Sequence, residues 1–283
     1  MSLVMQLEEE SGEFTGYAID RERRVRVKQL CSRFAMESLE GGLRDAPQEM
    51  DPRSWMRIEN QKSMGSCQGH AQSSVGELCF HVATGKVTQF SPLFAYYATQ
   101  EVDGLVGRDS GSTIGGGVEC AMKVGFCPLE LMPYPDPPRY RWWISEEARQ
   151  AAGAFRIRQR VWIENYDEAF TFLATGQGGI EIGMGWGNGL SNCAGIIERY
   201  SSGGGGHAVC FLGYSARRDS EGRAYLWLAN SWSEDWGANG WAEVAPRAVE
   251  QMLASSRTTA VGMSDLTTPT VRRVDWQKAS VYA

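Results

Sequence analysis

Three segments of the sequence carry side chains suited to nucleophilic chemistry, and they lie far apart along the chain. Residues 60–71, "NQKSMGSCQGHA", hold Cys67 directly after a Gly-Ser pair. A cysteine attacks as the thiolate, which is stabilised by a helix N-terminus and by a neighbouring imidazolium. Cys67 stands where a turn becomes a helix, so the sequence predicts a nucleophile there if a base is available.

The chain has three histidines, so few residues can be that base. His70 and His81 share the Cys67 helix and form a polar stripe with Glu77, in which His81 can pair with Glu77. We interpret both as solvated or hydrogen-bonded helix histidines. His70, one turn from Cys67, would be a poor ion-pair partner, because a helix N-terminus disfavours an imidazolium. His207 follows the run "SSGGGG" and begins the apolar strand "HAVCFLGY", so it is the candidate base.

Two amide side chains complete the candidate site. Asn230 ends a predicted strand, and an amide can hold an imidazole in one orientation without taking its proton. Trp232, two residues later, can shield that hydrogen bond from water. Gln61 lies six residues before Cys67, and its amide can join a backbone N–H as an oxyanion hole.

Helices dominate the first half of the chain and strands the second. Helical spacing and caps predict helices over 67–84, from Ser91 and Pro92 onwards, and over 117–123, and the charged run over 20–39 also reads as a helix. Five strands are predicted within 155–162, 178–186, 207–215, 224–231 and 239–246, with one helix over 166–175. This order favours an α+β fold with two lobes and a cleft between them.

Composition limits the other classes of protein. The 283 residues carry a net charge of −6, whereas a nucleic-acid binder is usually basic. The chain has no run of 18 apolar residues and no secretory signal pattern. Its seven cysteines are scattered without a CxxC pair, which favours a reducing compartment, the cytoplasm. With no HExxH motif either, a zinc enzyme is disfavoured, and we expect no metal and no cofactor.

The same segments resemble those of the papain-like cysteine peptidases, a family that includes the cathepsins. Residues 60–71 resemble the family's NQGxCGSCWAF segment, "HAVCFLGY" its HAVxxVGY segment, and "NSWSEDWGANGW" its NSWGxxWGxxGY segment. Gln61, Cys67, His207 and Asn230 follow the family's order, and Trp232 and Trp236 match its two tryptophans. The resemblance spans roughly residues 45–274 and fits a bacterial or phage-type member.

The resemblance implies a helical left lobe, an antiparallel β-barrel-like right lobe and an active site in the cleft. It implies that Cys67 is the nucleophile, His207 the base, Asn230 its orienting residue and Gln61 the oxyanion donor. A weaker match over 113–135 makes Gly115 and Gly116 the expected substrate-binding glycines, and Gly206 and Trp232 are expected to line the cleft. The sequence departs from the family at Gln68, where a Trp is usual, and at Met64, where a disulfide cysteine is usual.

These expectations divide the chain into a leader over 1–44, a peptidase domain over 45–274 and a tail over 275–283. The helical lobe is expected at about 61–140 and the β lobe at about 155–245. The leader is either a plain N-terminal extension or a short prosegment-like segment. Besides a cysteine endopeptidase with peptide or protein substrates, two alternatives stay open: an inactive papain-like scaffold for binding or assembly, and a non-peptide amide hydrolase or acyl transferase. No nucleic-acid or membrane partner is expected.

Overall fold

The computed structural model describes residues 32–33 and 46–268. The leader therefore lies outside the described residues except at residues 32–33, and the tail over 275–283 lies wholly outside them. In the described part no helix has the length and hydrophobicity that a membrane span requires. The predicted helix over 20–39 is wrong at residues 32–33, because Ser32–Arg33 (β1) pairs in parallel with Val161 and Trp162. Sheet pairing overrides the helical tendency of that charged run.

Helices make up most of the first half. They are α1 (Cys67–Thr84), α2 (Pro92–Asp103), α3 (Ile114–Lys123) and α4 (Glu146–Ala152), with a short 3-10 helix at Leu129–Leu131. The predicted signals of α1 and α2 are confirmed. Gly85 ends α1 in the left-handed conformation, with φ of 69°, and the Ser91 side chain accepts the Phe94 N–H in front of Pro92. The sequence patterns did not predict α4.

The second half is mostly strand. Its elements are β2 (Ile157–Trp162), α5 (Tyr166–Ala174), β3 (Gly178–Gly185), α6 (Asn188–Ser191), β4 (Ile196–Ile197), β5 (Gly206–Arg218), β6 (Ala224–Ala229), β7 (Trp241–Val244), α7 (Pro246–Ala254) and β8 (Thr259–Leu266). All five predicted strands and the predicted helix are present. The patterns missed α7 and β8, although β8 lies between β2 and β3 in the sheet.

One sheet joins these strands in the order β1-β2-β8-β3-β5-β6-β7-β4. The pairs from β2 to β7 are antiparallel, while β1 and β4 each add a parallel edge. Among the described residues this sheet stays open between those two edges, so the right lobe is an open sheet and not a closed barrel. The mixed α+β prediction is confirmed.

Helix α1 is the element that joins the two halves. Its buried residues pack against α2 on one side and against β3 and β5 on the other. One apolar cluster fills the space between α1 and the sheet, a second fills the helical lobe around Phe94 and Tyr97, and a third lies within the β lobe around Phe172 and Phe211. The first residue of α1 therefore lies at the junction of the helical and strand-rich parts.

Candidate active site

The Cys67 thiol lies at the start of α1, against the first residues of strand β5 in the right lobe. The loop before it ends at Ser66, which is the N-cap, so Cys67 is the first helical residue. The backbone N–H of Ala208, next to His207, points at the Cys67 sulfur over 3.4 Å. The structure thus brings together two segments that are 140 residues apart in the sequence.

Burial governs the acidity of this thiol. Cys67 is fully buried, and burial raises the pKa of its thiol to about 12, against the backbone N–H groups of Ala208 and Gln68, which lower it. The carboxyl of Glu181 raises the same pKa further. Free thiolate is therefore unfavourable near neutral pH, and the sulfur can become a nucleophile only by passing its proton to a neighbouring base that forms an ion pair with it.

His207 is held in one orientation by Asn230. The Nε2 atom of His207 lies 2.8 Å from Asn230 Oδ1. The same oxygen accepts the N–H of Ser231 over 2.8 Å, which identifies it as the amide oxygen and makes His207 Nε2 the donor. The other ring nitrogen, Nδ1, is the one left for acid–base chemistry.

Two indole rings enclose that hydrogen bond. The Trp232 ring centroid lies 4.8 Å from that of His207, and the Trp186 centroid lies 4.6 Å away at a steep angle. Trp236 packs 6.1 Å from Trp186 and is buried behind it. The expectation that Trp232 shields the imidazole agrees with this geometry. Trp186 was not predicted as a site residue, although it ends the strand predicted within 178–186, "GGIEIGMGW".

Gln61 is fixed by the right lobe as well as by its own turn. Its Oε1 accepts the Ser231 hydroxyl over 2.7 Å, and its Nε2 donates to the Met64 carbonyl over 3.0 Å. The Gln61 N–H also donates to the Ser231 carbonyl over 2.9 Å. Ser231 thus clamps both the backbone and the amide of Gln61. Ser231 was not predicted as a site residue, although it stands inside the "NSW" motif with Asn230 and Trp232.

The backbone conformation of Gly115 and Gly116 differs from the one that we expected for substrate-binding glycines. Thr113 caps α3 and accepts the Gly116 N–H over 2.9 Å, so Gly115 and Gly116 lie in the first helical turn. The Gly116 N–H already donates to Thr113, and the backbone at both glycines is helical. An extended substrate therefore does not find there the pair of backbone hydrogen bonds that we expected. The backbone before α3 is non-helical at Gly111 and Ser112 instead. Gly206 begins β5 opposite Gly185, partly buried next to His207.

Gln68, the departure from the usual Trp, takes part in a buried polar network. Its Nε2 donates to Gln72 Oε1 over 2.8 Å and to Glu181 Oε1 over 2.9 Å. Its Oε1 accepts the Ser112 hydroxyl over 2.9 Å. Glu181 is fully buried on β3, and burial raises the pKa of its carboxyl to about 8. The residue after the nucleophile therefore ties α1 to β3 and to the backbone before α3.

The other histidines take structural places. His70 is buried and not solvated, and its Nδ1 lies 3.0 Å from the Ser66 carbonyl. His81 stacks on Trp55 with ring centroids 4.1 Å apart, and the predicted His81–Glu77 pair is wrong, because Glu77 accepts the Phe90 N–H over 2.9 Å. Within residues 32–33 and 46–268 no group of three or more His, Cys, Asp or Glu side chains could hold a metal ion.

A helix-start thiol beside an imidazole–amide pair, set between a helical and a strand-rich lobe, defines a cysteine-dependent acyl-transfer site. Residues 46–261 match the model of the papain family of cysteine proteases. The match covers more than half of the chain, so the chain belongs to this family and is a papain-like cysteine peptidase, which confirms the resemblance found in the sequence. Comparison with curated proteins found no match.

Solved structures share the fold. Xylellain, a cysteine protease from Xylella fastidiosa, is 21% identical with a TM-score of 0.73, over 93% of this chain and 98% of that chain. The bromelain protease from Ananas comosus, solved with the E64 inhibitor, is 17% identical with a TM-score of 0.60, over 77% and 99%. The Amb a 11 cysteine protease of ragweed pollen, solved in its proform, is 19% identical with a TM-score of 0.62, over 78% and 66%.

Proposed function

We propose that this peptidase hydrolyses peptide bonds as an endopeptidase, through a thiolate of Cys67 and an imidazolium of His207. The observation that carries this assignment is the contact between the Cys67 sulfur and the residue after His207, at 3.4 Å, combined with the 2.8 Å bond from His207 to Asn230. Proton transfer from the thiol to His207 Nδ1 keeps the buried pair neutral overall, so the burial that raises the thiol pKa opposes it less.

The steps then follow the chemistry of a covalent acyl-enzyme. The thiolate sulfur attacks the carbonyl carbon of the scissile amide, and the carbonyl oxygen takes the negative charge. The Gln61 amide and the Cys67 N–H are the proposed donors to that oxygen. Loss of one such donor typically raises the activation barrier by about 2.7–4 kcal/mol. His207 gives its proton to the departing amine and leaves a thioester at Cys67, which water hydrolyses with His207 as base.

Asn230 and the two indoles keep His207 in place between these steps. The imidazole must face the thiol, then the leaving amine, then the attacking water, with the same ring nitrogen each time. The bond from Nε2 to Asn230 fixes the tautomer that leaves Nδ1 for this task. The indoles of Trp186 and Trp232 keep water from competing for that bond.

We further propose that the substrate is a peptide or protein and that the enzyme works without a metal, a nucleic acid or a membrane partner, in the reducing cytoplasm. The cysteines at 67, 79, 120, 127, 193 and 210 are free thiols, which supports the reducing compartment. The net charge of −6 supports the absence of a nucleic-acid partner.

The test is the rate at which iodoacetamide alkylates each cysteine at about pH 6, well below the usual pKa of a thiol. Cys193 is the internal control, because it is more exposed than Cys67 and access alone would make it react faster. We expect Cys67 to react fastest, and His207→Ala to abolish that advantage. The variant His81→Ala, which changes a histidine outside the site, is expected to keep it.

Two results would contradict the proposal or redirect it. If Cys67 reacts no faster than Cys193 both in the full chain and after trimming of residues 1–44, the ion pair does not form and the scaffold alternative takes its place. If trimming alone makes Cys67 fast, the chemistry stands and the leader covers the cleft. A peptide library then identifies the preferred cleavage site, and an added amine acceptor tests for acyl transfer.

A further inference from the structure

A small cavity of about 10 Å³ lies beside the catalytic asparagine. Residues from three parts of the chain line it: Glu59 from the segment before Gln61, His70 from α1, and Asn230 at the end of β6. This volume matches that of a single water molecule, and a buried water needs two to four polar partners. The question is whether the polar atoms around the cavity provide them.

Asn230 offers the cavity a hydrogen-bond donor. Its Oδ1 already accepts from His207 and from the Ser231 N–H, so the orientation of the amide is fixed. Its Nδ2 is buried and has no hydrogen-bond partner among residues 32–33 and 46–268. A buried amide N–H left unpaired costs about 1–3 kcal/mol, so a partner for this atom is strongly favoured.

Glu59 and His70 offer acceptors that face each other. His70 Nδ1 lies 3.0 Å from the Ser66 carbonyl, which can only accept, so Nδ1 carries the proton and Nε2 is an acceptor. Burial lowers the pKa of His70 to about 4, which keeps the ring neutral. Its Nε2 lies 3.8 Å from Glu59 Oε2, a buried oxygen that makes no hydrogen bond to the described part of the chain, while Glu59 Oε1 is bound by Arg57.

These three atoms match the bonding capacity of one water molecule, which has two O–H donors and lone pairs to accept with. We propose that this cavity binds one ordered water, which accepts from Asn230 Nδ2 and donates to Glu59 Oε2 and His70 Nε2, and that Glu59 is thereby a positioning residue for the catalytic imidazole. The second part rests on the proposed roles of His207 and Asn230; the water site does not.

The relay acts on the charge of the imidazole. An anionic Glu59 polarises the water, the water draws on the Asn230 N–H, and the amide oxygen becomes a better acceptor for the N–H of a His207 imidazolium. Loss of the charge at Glu59 therefore makes His207 easier to deprotonate. The carboxylate acts through Asn230 and does not touch the substrate.

The charge of Glu59 itself depends on its surroundings. Burial raises the pKa of this carboxyl to about 7, while Arg57 lowers it. The titratable or charged groups that face it are Arg57 on its own segment, His70 and Glu77 on α1, Cys210 on β5 and Tyr134 in the connection after α3. Because the carboxyl ionises near neutral pH, the relay is strongest above about pH 7.

The test compares Glu59→Gln with the wild type by proton NMR titration of His207 in the full chain. With three histidines in the chain, His70→Phe and His81→Ala assign the imidazole signals. The amide of Glu59→Gln still accepts from the water but carries no charge. We expect the pKa of His207 to fall by roughly one unit. At a pH above the wild-type pKa, the fraction of imidazolium then falls roughly tenfold.

Glu77→Gln is the matched control. Like Glu59, Glu77 has a carboxyl in the interior, but it lies on α1 and does not line the cavity. An equal shift in both variants, or no shift in Glu59→Gln with an unchanged unfolding temperature, would overturn the role of Glu59. Iodoacetamide reactivity of Cys67, measured on the same samples, tests the proposed function separately: a reactive Cys67 with an unshifted His207 rejects only the relay.

The water site is tested directly in the wild type, without any variant. A high-resolution crystal structure should show one water within hydrogen-bond distance of Asn230 Nδ2, Glu59 Oε2 and His70 Nε2. A direct contact between two of these atoms with no room for a water, or a water bound to none of them, would contradict the proposal. The result stands whatever the activity of the enzyme.

Discussion

The two reacting residues lie in different surroundings. On the imidazole side, His207 makes one short bond to Asn230 and is enclosed by the rings of Trp186 and Trp232. On the thiol side, the interior behind Cys67 is polar: Gln68 is bonded to Gln72, Glu181 and Ser112 at once. The imidazole is thus held by an apolar enclosure, and the nucleophile's helix by a network of hydrogen bonds.

This difference has consequences for how each side fails. Aromatic rings need no hydrogen-bond partners, so the direct support of the His207 ring is its bond to Asn230, which bulk solvent must not reach. A buried polar network is stabilising only while every member keeps its partner. We therefore expect changes on the imidazole side to lower activity more than stability, and changes on the thiol side to lower stability more than activity.

The largest effect is expected for Asn230→Ala. Without the amide, His207 loses the bond that fixes its tautomer, so much of the general acid–base contribution, roughly 10²–10⁴-fold in rate, is at risk. The free energy of unfolding should fall by about 1–3 kcal/mol, because the buried His207 Nε2–H and Ser231 N–H lose their acceptor. Peptide cleavage rates and urea unfolding of the same sample check both numbers; a larger loss of stability than of activity would break the comparison.

The converse case is Glu181→Ala. It leaves the Gln68 N–H without its acceptor and opens a void at a fully buried position of β3. We expect the free energy of unfolding to fall by about 2–4 kcal/mol. The alkylation rate of Cys67 in the remaining folded protein should change far less. Glu181→Gln is the control, since its amide oxygen can still accept from Gln68; a loss as large as that of the alanine variant would point to a different cause.

The sequence predicted the imidazole side better than the thiol side. Asn230 and Trp232 stand in one short motif after a strand, so their relation to His207 follows from adjacent strands. The bond between Gln68 and Glu181 joins residues 113 positions apart and depends on the register of β3, which places Glu181 opposite Cys210 and Val261. No local pattern contains that register, and Gln68 was read only as a departure from a motif.

The missed elements have local causes too. Strand β8 contains Gly262, which is packed against the Phe172 ring, and Asp265 with a positive φ of 57°, so the residues "TAVGMSDL" do not alternate cleanly. Pairing with β2 and β3 along its length makes it a strand nevertheless. Helix α3 begins at Ile114, ahead of the predicted residue 117, because Thr113 caps it, and this moves Gly115 and Gly116 into the helix.

The pH dependence of stability sharpens the comparison further. Burial raises the pKa of Glu181 from its usual 4.5 to about 8 in the folded protein. A carboxyl whose folded pKa is raised binds its proton more tightly in the folded state, so its contribution is present below about pH 4.5 and is lost as the pH rises through about 8. Stability should therefore decline across that window.

Glu59 and Glu77 are raised in the same direction, so the wild-type curve alone does not isolate Glu181. The difference between Glu181→Gln and the wild type does. Thermal unfolding of both proteins between about pH 5 and pH 9 should show the variant gaining on the wild type as the pH rises. Parallel curves would mean that the Glu181 carboxyl does not change its protonation state there, and the thiol side would then lack its titrating member.

The smallest effect is expected at the tryptophans near His207. Trp186 and Trp236 are neighbours that differ in the hydrogen bond made by the indole N–H. Trp236 Nε1 donates to the Leu190 carbonyl over 2.9 Å, whereas Trp186 Nε1 is buried and has no hydrogen-bond partner within the part of the chain that the structure describes. Trp236→Phe loses that bond and strands the carbonyl, at a cost of about 1–3 kcal/mol. Trp186→Phe gives up ring volume but also an unsatisfied N–H, so its net change should stay within about 1 kcal/mol.

Chemical denaturation of the two variants measures this pair, and the NMR titration of His207 shows whether the enclosure survives. If the imidazole side needs only an apolar wall, the phenyl ring of Trp186→Phe should keep the edge contact with His207 and leave its pKa unchanged. A clear shift of that pKa, or a greater loss of stability than in Trp236→Phe, would mean that the Trp186 N–H has a polar task. The imidazole side would then depend on hydrogen bonding as the thiol side does.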